Sequence, residues 1–130
     1  MANNILVDTS ILIGLQRGDP KIISRFEKYL DQVVISRITA NEFIYGSKDR
    51  REKSVNKKFI ESLEIAEVNE DISALAFALI DNYGLKTRLG IADALIAATA
   101  IWQNFSLWTE NLKHYMLIRE LTVFNGAKRK

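Results

Sequence analysis

The sequence predicts a single α/β domain in which a parallel β-sheet lies between layers of helices. Its strand candidates are short apolar segments without alternating polar residues, which is typical of strands buried on both faces. They alternate along the chain with helical patterns, and helices are the connections that neighbouring parallel strands require. The 130 residues suit one domain with a substantial core, and no repeat or linker divides residues 1–130.

The first half of the chain predicts two strands and four helices. Asp19 as N-cap and Pro20 at the first helical position give a well-defined start for the second helix. In order, the elements are a strand at 4–7, helices at 10–18 and 19–30, a strand at 33–36, and helices at 39–47 and 49–64.

The second half predicts the remaining strands and two long helices. A short strand is expected at 65–68, followed by a periodic helix at 70–84 that Gly84 closes. An Ala-rich helix at 91–104, a strand at 106–109 and a last edge strand at 121–125 complete the domain. The sheet therefore has about four to five strands, and residues 127–130 are expected to form a disordered basic tail.

Composition excludes several classes of function. The chain has no cysteine, so disulfides, a thiolate nucleophile and Cys-ligated zinc are impossible. The N-terminus has no signal-peptide pattern, and the longest apolar stretch is too short to span a bilayer. These features fit a cytoplasmic protein, and the net charge of +2 does not by itself indicate a nucleic-acid partner.

Four polar residues follow a predicted strand or open a predicted helix. Asp8 directly follows the first strand, and Glu42 lies early in the helix after the second. Asp93 lies in the first turn of the Ala-rich helix, and Asn111 follows the strand at 106–109. Because ligands of open parallel sheets collect beyond the carboxyl ends of the strands, we expect these side chains at one edge.

Each of these residues also has a purely structural interpretation. Asp8 is a candidate N-cap, and Glu42 lies three residues after Thr39 in a capping-box pattern. Asp93 is placed to complement a helix dipole, and Asn111 to stabilise a turn. The joint pattern favours a site, since Asp93 is the only charged side chain between Gly90 and Trp102.

Carboxylates that share one site repel each other unless a cation is present. Mg²⁺ or Mn²⁺ suits carboxylate, amide and water ligands, whereas the lack of cysteine and the single histidine argue against zinc. Such an ion activates water and stabilises charge on a phosphoryl oxygen, so phosphodiester hydrolysis is the expected chemistry.

With these residues in place, the chain resembles the PIN-domain family, and within it the VapC-type toxins of toxin–antitoxin pairs. The resemblance covers nearly the whole chain through four segments: "ILVDTSILI", "VVISRITANEFIYG", "IADALIAATA" and "LWTENLKHY". It implies a PIN-like three-layer α/β/α fold and a Mg²⁺- or Mn²⁺-dependent endoribonuclease that hydrolyses RNA with a metal-activated water.

The resemblance also implies roles for individual residues. The metal ligands are Asp8, Glu42 and Asp93, and Asn111 occupies a fourth polar position that holds Asp or Asn in the family. Hydroxyls that support the ligands or orient the substrate are Thr9, Ser10, Ser36 and Thr109. Where many relatives carry an Asp-Phe pair, this chain has His114-Tyr115, and no catalytic role is assigned to His114.

The resemblance further implies a homodimer and a VapB-type antitoxin that covers the acidic site. The basic run at 48–58, with Lys48, Arg50 and Arg51, is a candidate RNA-binding surface or simply a solvated helix face. Two alternatives stay open at this point. One is a PIN-domain RNA-processing nuclease without an antitoxin, and the other is a non-catalytic module that binds nucleic acid or a partner.

Overall fold

The computed structural model describes residues 4–124, and its centre is a parallel sheet of four strands within that range. The strands are β1 (Ile5–Val7), β2 (Val33–Ser36), β3 (Glu64–Ala66) and β4 (Ser106–Trp108), in the spatial order β3-β2-β1-β4. Ile5 of β1 pairs with Val33 of β2 on one side and with Ser106 of β4 on the other. The parallel fold predicted from the sequence is therefore confirmed.

Helices cover both faces of the sheet. The helices are α1 (Thr9–Gln16), α2 (Pro20–Lys28), α3 (Arg37–Tyr45), α4 (Arg50–Glu61), α5 (Glu70–Thr87), α6 (Ile91–Gln103) and α7 (Leu112–Tyr115), with a short 3-10 turn at Leu30–Gln32. The core has two parts: one contains residues of α5, α6 and α7, and the other contains residues of α1 to α4. Alternate strand residues supply the two parts, since Leu6 belongs to the first and Ile5 and Val7 to the second.

The start of α3 and the end of α5 differ from the predictions for physical reasons. Helix α3 begins at Arg37 because Ser36 caps it, accepting a hydrogen bond from the Thr39 N–H, so Thr39 is not an N-cap. Helix α5 continues through Gly84 to Thr87 and ends with Arg88 in the left-handed region at φ 58°. A glycine inside a helix costs only about 1 kcal/mol, and the extensive packing of α5 on α6 offsets it.

The predicted last strand is reduced to one bridge. Val123 pairs with Leu107 through two backbone hydrogen bonds, and no further residue up to 124 joins the ladder. Residue 125 and the predicted disordered tail at 127–130 lie outside the described residues. No helix within residues 4–124 is long and apolar enough to cross a membrane.

The strand order determines where a site can form. Strand β1 lies in the interior of the sheet, and the chain reaches β2 on one side of it and β4 on the other. The carboxyl ends of β1 and β4 therefore form a topological switch point, where open α/β sheets bind ligands. Asp8 follows β1 at this point, and Thr109 follows β4.

Candidate active site

Asp8 is a buried carboxylate held by two hydroxyl groups. It occupies the N-cap position of α1, but its side chain caps no backbone N–H of that helix. Instead, its Oδ2 accepts hydrogen bonds from Ser10 Oγ at 2.8 Å and from Thr109 Oγ1 at 2.7 Å. Asp8 is only 3% exposed, so these bonds offset part of its desolvation cost. The structure thus rules out simple helix capping as the role of Asp8.

The two hydroxyls that bind Asp8 are fixed by the backbone. Ser10 Oγ accepts from the N–H of Glu110 at 3.0 Å, and Thr109 Oγ1 accepts from the N–H of Asn111 at 2.9 Å. Both side-chain hydrogen bonds to Asp8 reach the same oxygen, Oδ2. The second oxygen, Oδ1, is consequently available to a cation.

Glu42 extends from α3 and is tied to the start of α1. Thr9 Oγ1 lies 2.5 Å from Glu42 Oε1 and 3.3 Å from Thr39 Oγ1, and Ser36 Oγ lies 3.3 Å from Thr39 Oγ1. A hydroxyl has one proton to donate, and that of Thr9 goes to the nearby carboxylate. Thr39 Oγ1 accepts from Ser36 and is also within acceptor distance of Thr9, so the three side chains form a chain of hydroxyls that ends on Glu42.

Asp93 lies in the first turn of α6 and contacts both residues that end α7. The hydroxyl of Tyr115 donates to Asp93 Oδ1 at 3.1 Å. His114 Nδ1 lies 3.2 Å from Asp93 Oδ2, but the ring N–H direction does not satisfy a hydrogen bond. Asp93 is thus held through one oxygen and faces an imidazole nitrogen with the other.

The electrostatics of Tyr115 connect its hydroxyl with all three acids. Burial raises the pKa of Tyr115 far above its usual value, and the negative charges of Asp8, Asp93 and Glu42 raise it further, as does the hydrogen bond to Asp93. One hydroxyl therefore lies within electrostatic range of all three carboxylates. The phenol stays neutral, so it can act toward Asp93 only as a hydrogen-bond donor.

The site fits a divalent ion through the chemistry of its donor atoms rather than through a preformed set of closely spaced ligands. Within residues 4–124, no three Asp, Glu or His side chains are spaced closely enough to hold an ion as they stand. Carboxylate oxygens are nevertheless the donors that a hard divalent ion prefers. Asp8 has one such oxygen, Oδ1, that accepts neither of its two side-chain hydrogen bonds. The buried Nδ1 of His114, which has no hydrogen-bond partner in this range, adds a further donor atom. The residues present therefore fit a divalent ion.

Asn111 lies beside the acids rather than among them. It is exposed at the N-cap position of α7, where its side chain makes no cap bond. It lines a cavity of about 440 Å³, together with Ser10, Ile13, Gly14, Arg17, Asp19, Ile22 and Glu110. Ser10 belongs both to this cavity and to the support of Asp8, so the cavity adjoins the acidic site.

The predicted RNA-binding residues lie at another surface. Lys48, Arg50 and Arg51 are exposed, and no ion pair or side-chain hydrogen bond within residues 4–124 joins them to the acids. Lys48 and Arg51 instead line a groove of about 720 Å³ between α1, α2, α3 and α4. Its apolar lining residues include Leu12, Leu15, Ile23, Phe26, Phe43, Val55 and Phe59.

Sequence analysis missed three residues that support or face the acids: Thr39, His114 and Tyr115. Thr39 looked like a capping residue, and its actual partner, Thr9, lies 30 positions earlier in the chain. Tyr115 is 22 positions from Asp93, so no local pattern predicts their contact. The one available signal was a polar pair, His-Tyr, soon after a strand end.

The parallel α/β fold and the acids beyond its strand ends define a class of protein. Comparison with known proteins identifies that class. The sequence profile of the PIN domain matches residues 5–115, and the chain belongs to the PIN-domain family. It is 38% identical over 120 residues to "Ribonuclease VapC1" of Methanocaldococcus jannaschii, covering 91% of this chain and 83% of that protein.

Two further comparisons agree. "Ribonuclease VapC" of Rickettsia bellii is 34% identical over 127 residues, covering 92% of this chain and 93% of that protein. A toxin–antitoxin complex from Klebsiella pneumoniae contains a chain of the same fold, with a TM-score of 0.79, 29% identity, and coverage of 92% and 97%. VapC nucleases with PIN domains are metal-dependent in general, a property that the carboxylate donors here fit.

Proposed function

We propose that this chain is a metal-dependent endoribonuclease and the toxin of a VapBC-type toxin–antitoxin system, acting on RNA in the cytoplasm. The relatives named as VapC ribonucleases cover more than nine-tenths of the chain, which supports the activity. Complexes of related toxins with antitoxins support the partner. The single observation that carries the proposal is that the buried Tyr115 hydroxyl lies within electrostatic range of Asp8, Glu42 and Asp93 and donates to Asp93.

Asp8, Glu42 and Asp93 would hold the divalent ion, Mg²⁺ or Mn²⁺. When bound, the ion supplies a nucleophile at neutral pH and stabilises charge on the phosphoryl oxygens. The protein's part is to fix the donors. Ser10 and Thr109 occupy one oxygen of Asp8 and leave the other to the ion, while Thr9 orients Glu42.

Other residues would orient the substrate and the acids. The amide of Asn111 lies at the cavity next to Asp8 and is placed to orient a phosphodiester there. Tyr115 stays protonated at neutral pH, so it holds Asp93 without adding a fourth negative charge to the site. With an amide in place of an acid at position 111, the site carries three carboxylates, a charge that suits one divalent ion better than two.

A VapB-type antitoxin would inhibit the site by charge pairing. The acids attract an inserted Arg or Lys, and a guanidinium forms the stronger, bidentate contact with a carboxylate. The apolar groove between α1, α2, α3 and α4 offers a surface for the remainder of the same segment. A homodimer, as expected from the resemblance, is part of this proposal.

The test of the enzymatic proposal is RNA cleavage by purified protein with Mg²⁺ or Mn²⁺. We expect Asp8→Asn and Asp93→Asn to lower the cleavage rate by about 10³-fold, since metal-ion catalysis supplies several kcal/mol. Asp81→Asn is the matched control, because Asp81 is an exposed acid on α5. Equal cleavage by all four proteins would contradict the catalytic assignment.

Expression in cells separates a toxin from an RNA-processing nuclease. The toxin proposal predicts growth arrest on induction, no arrest with Asp8→Asn, and rescue by a VapB-type protein encoded beside the gene. RNA 5′ ends sequenced after induction would identify the substrate. An active nuclease that leaves growth unaffected would favour the RNA-processing alternative.

A further inference from the structure

His114 places a buried nitrogen atom against the acidic site without a hydrogen-bond partner. Its Nδ1 is inaccessible to solvent and makes no hydrogen bond within residues 4–124, although the side chain as a whole is 34% exposed. The nearest charged group is Asp93 Oδ2, at 3.2 Å. Buried polar atoms normally have partners, so this one requires an explanation.

Neither protonation state of Nδ1 explains the contact by itself. If Nδ1 carries a proton, its N–H does not aim at Oδ2, and an unsatisfied buried donor costs about 1–3 kcal/mol. If Nδ1 carries a lone pair, that lone pair faces the oxygen of a carboxylate, and the contact is repulsive. A cation that both atoms bind removes the conflict in the second case.

The distance between the two atoms suits two ligands of one ion. Adjacent ligands of an octahedral ion with bonds of about 2.1 Å lie about 3.0 Å apart, close to the 3.2 Å between Nδ1 and Oδ2. Tyr115 engages the opposite oxygen of Asp93, so Oδ2 is the oxygen left for coordination. An Nδ1 that binds the ion through its lone pair carries no proton, so it makes no hydrogen bond to Oδ2, in agreement with the structure.

The position of His114 is set by a rigid neighbour. Tyr115, the next residue on α7, is 1% exposed and anchors the helix in the core against Asp93. The N–H of His114 donates to the carbonyl of Asn111, which fixes its backbone. The imidazole therefore reaches Asp93 from a position that the fold determines.

We propose that His114 is a nitrogen ligand of the divalent ion that Asp93 binds, and that it gives this site a preference for Mn²⁺ over Mg²⁺. The inference rests on the proposed function, because it assumes that the three acids hold an ion. Imidazole is a favourable ligand for first-row transition ions, whereas Mg²⁺ prefers oxygen donors. A site built only of carboxylates and water would lack this discrimination.

The experiment is pulsed electron paramagnetic resonance of Mn²⁺ bound to the untagged protein. The chain contains one histidine, so a ¹⁴N modulation typical of imidazole identifies His114 without ambiguity. We expect the modulation in the wild type and in Tyr115→Phe, and its loss in His114→Ala. Equilibrium titration with Mn²⁺ should show about tenfold weaker binding in His114→Ala, with Mg²⁺ binding changed less than about twofold.

His114→Asn separates a ligand from a residue that merely positions Asp93. An Asn side chain can hydrogen-bond to Asp93 but has no imidazole, so the inference predicts that it does not restore Mn²⁺ affinity. Restored affinity, or Mn²⁺ bound through Asp8 and Asp93 without nitrogen modulation, would overturn the inference and leave the proposed function standing. Absence of any Mn²⁺ binding sensitive to Asp8→Asn and Asp93→Asn would overturn both.

Discussion

Asp8 and Asp93 reach the same site but are supported in different ways. Asp8 is almost fully buried, and two hydroxyls anchored by backbone N–H groups bind one of its oxygens. The side chain of Asp93 is 28% exposed, and a single phenol holds it opposite an imidazole. The comparison suggests that Asp8 is the rigid side of the site and Asp93 the adjustable side. Substitutions of the residues that hold each acid should therefore affect stability and cleavage to different extents.

The largest effect is expected from Thr109→Val, which removes a hydroxyl from the rigid side. Its bond to a buried carboxylate is of the kind worth about 1.5–3 kcal/mol, and we expect that loss in the free energy of unfolding measured with urea. Cleavage should fall as well, because Asp8 loses one of the two hydroxyls that fix it. Thr99→Val is the matched control, since that buried hydroxyl bonds only the carbonyl of Leu95 in its own helix. Equal destabilisation by both substitutions would mean that the hydroxyl bound to Asp8 contributes no more than another buried hydroxyl.

A smaller effect is expected from Tyr115→Phe, which removes the phenol from the adjustable side. We expect the free energy of unfolding to fall by about 1 kcal/mol, and cleavage to fall more than stability does, because Asp93 gains freedom. Tyr83→Phe is the control, since its hydroxyl bonds the exposed Glu120. If Tyr83→Phe lowers the free energy of unfolding and cleavage as much as Tyr115→Phe does, the buried phenol contributes no more than the phenol of Tyr83.

The wild type and Tyr115→Phe can also be compared as a function of pH. The pKa of Tyr115 is raised in the folded protein, so its stabilising contribution is complete below the unfolded value of about 10 and is lost as the pH rises above it. The stability gap between the wild type and Tyr115→Phe should therefore narrow above about pH 10. A gap that widens there would mean that the phenol ionises more readily in the folded state.

Thr9→Val tests the third acid and should have a modest effect on stability. Thr9 is half-buried, so loss of its bonds to Glu42 and Thr39 should cost about 0.5–1.5 kcal/mol. We expect cleavage to fall through Glu42, with a larger part of the loss recovered at high Mn²⁺ concentration than in Asp8→Asn. Identical metal dependence of Thr9→Val and the wild type would separate the hydroxyl chain from the metal site.

The smallest effect on the catalytic step is expected from the basic run, which lies away from the acids. Replacing Lys48, Arg50 and Arg51 with Ala in an Asp8→Asn background should lower the salt slope of single-stranded RNA binding by about 2 if all three contact phosphates. Three exposed lysines of α4, the helix that carries Arg50 and Arg51, give a charge-matched triple variant as control: Lys53, Lys57 and Lys58. An unchanged slope would exclude these three residues from the RNA surface.

The sequence predicted the fold well because its signals are local. Unalternating apolar strands, the Asp19-Pro20 helix start and the alternation of strands with helices each depend on neighbouring residues. The predicted end of α5 was wrong, since contacts with α6 outweigh the cost of Gly84. Of the predicted last strand, the described residues up to 124 form only a single bridge at Val123.

The site was predictable only in outline. Asp8, Glu42 and Asp93 stand out as acids at strand ends and helix starts, but their roles as ligands stay predictions. Their supports could not be predicted, since Thr39 and Tyr115 act through contacts between distant parts of the chain. His114 was set aside for the same reason, because its position opposite Asp93 depends on where α7 packs.

The bond from Thr109 to Asp8 joins positions separated by 101 residues, and β4 is the last strand along the chain within residues 4–124. During translation, the first acid leaves the ribosome long before the hydroxyl that orients it. A nascent chain that stops short of β4 has Asp8 with Ser10 but without Thr109, the second hydroxyl that holds it, and without the neighbouring strand. The support of the first acid is therefore incomplete until translation has passed Thr109.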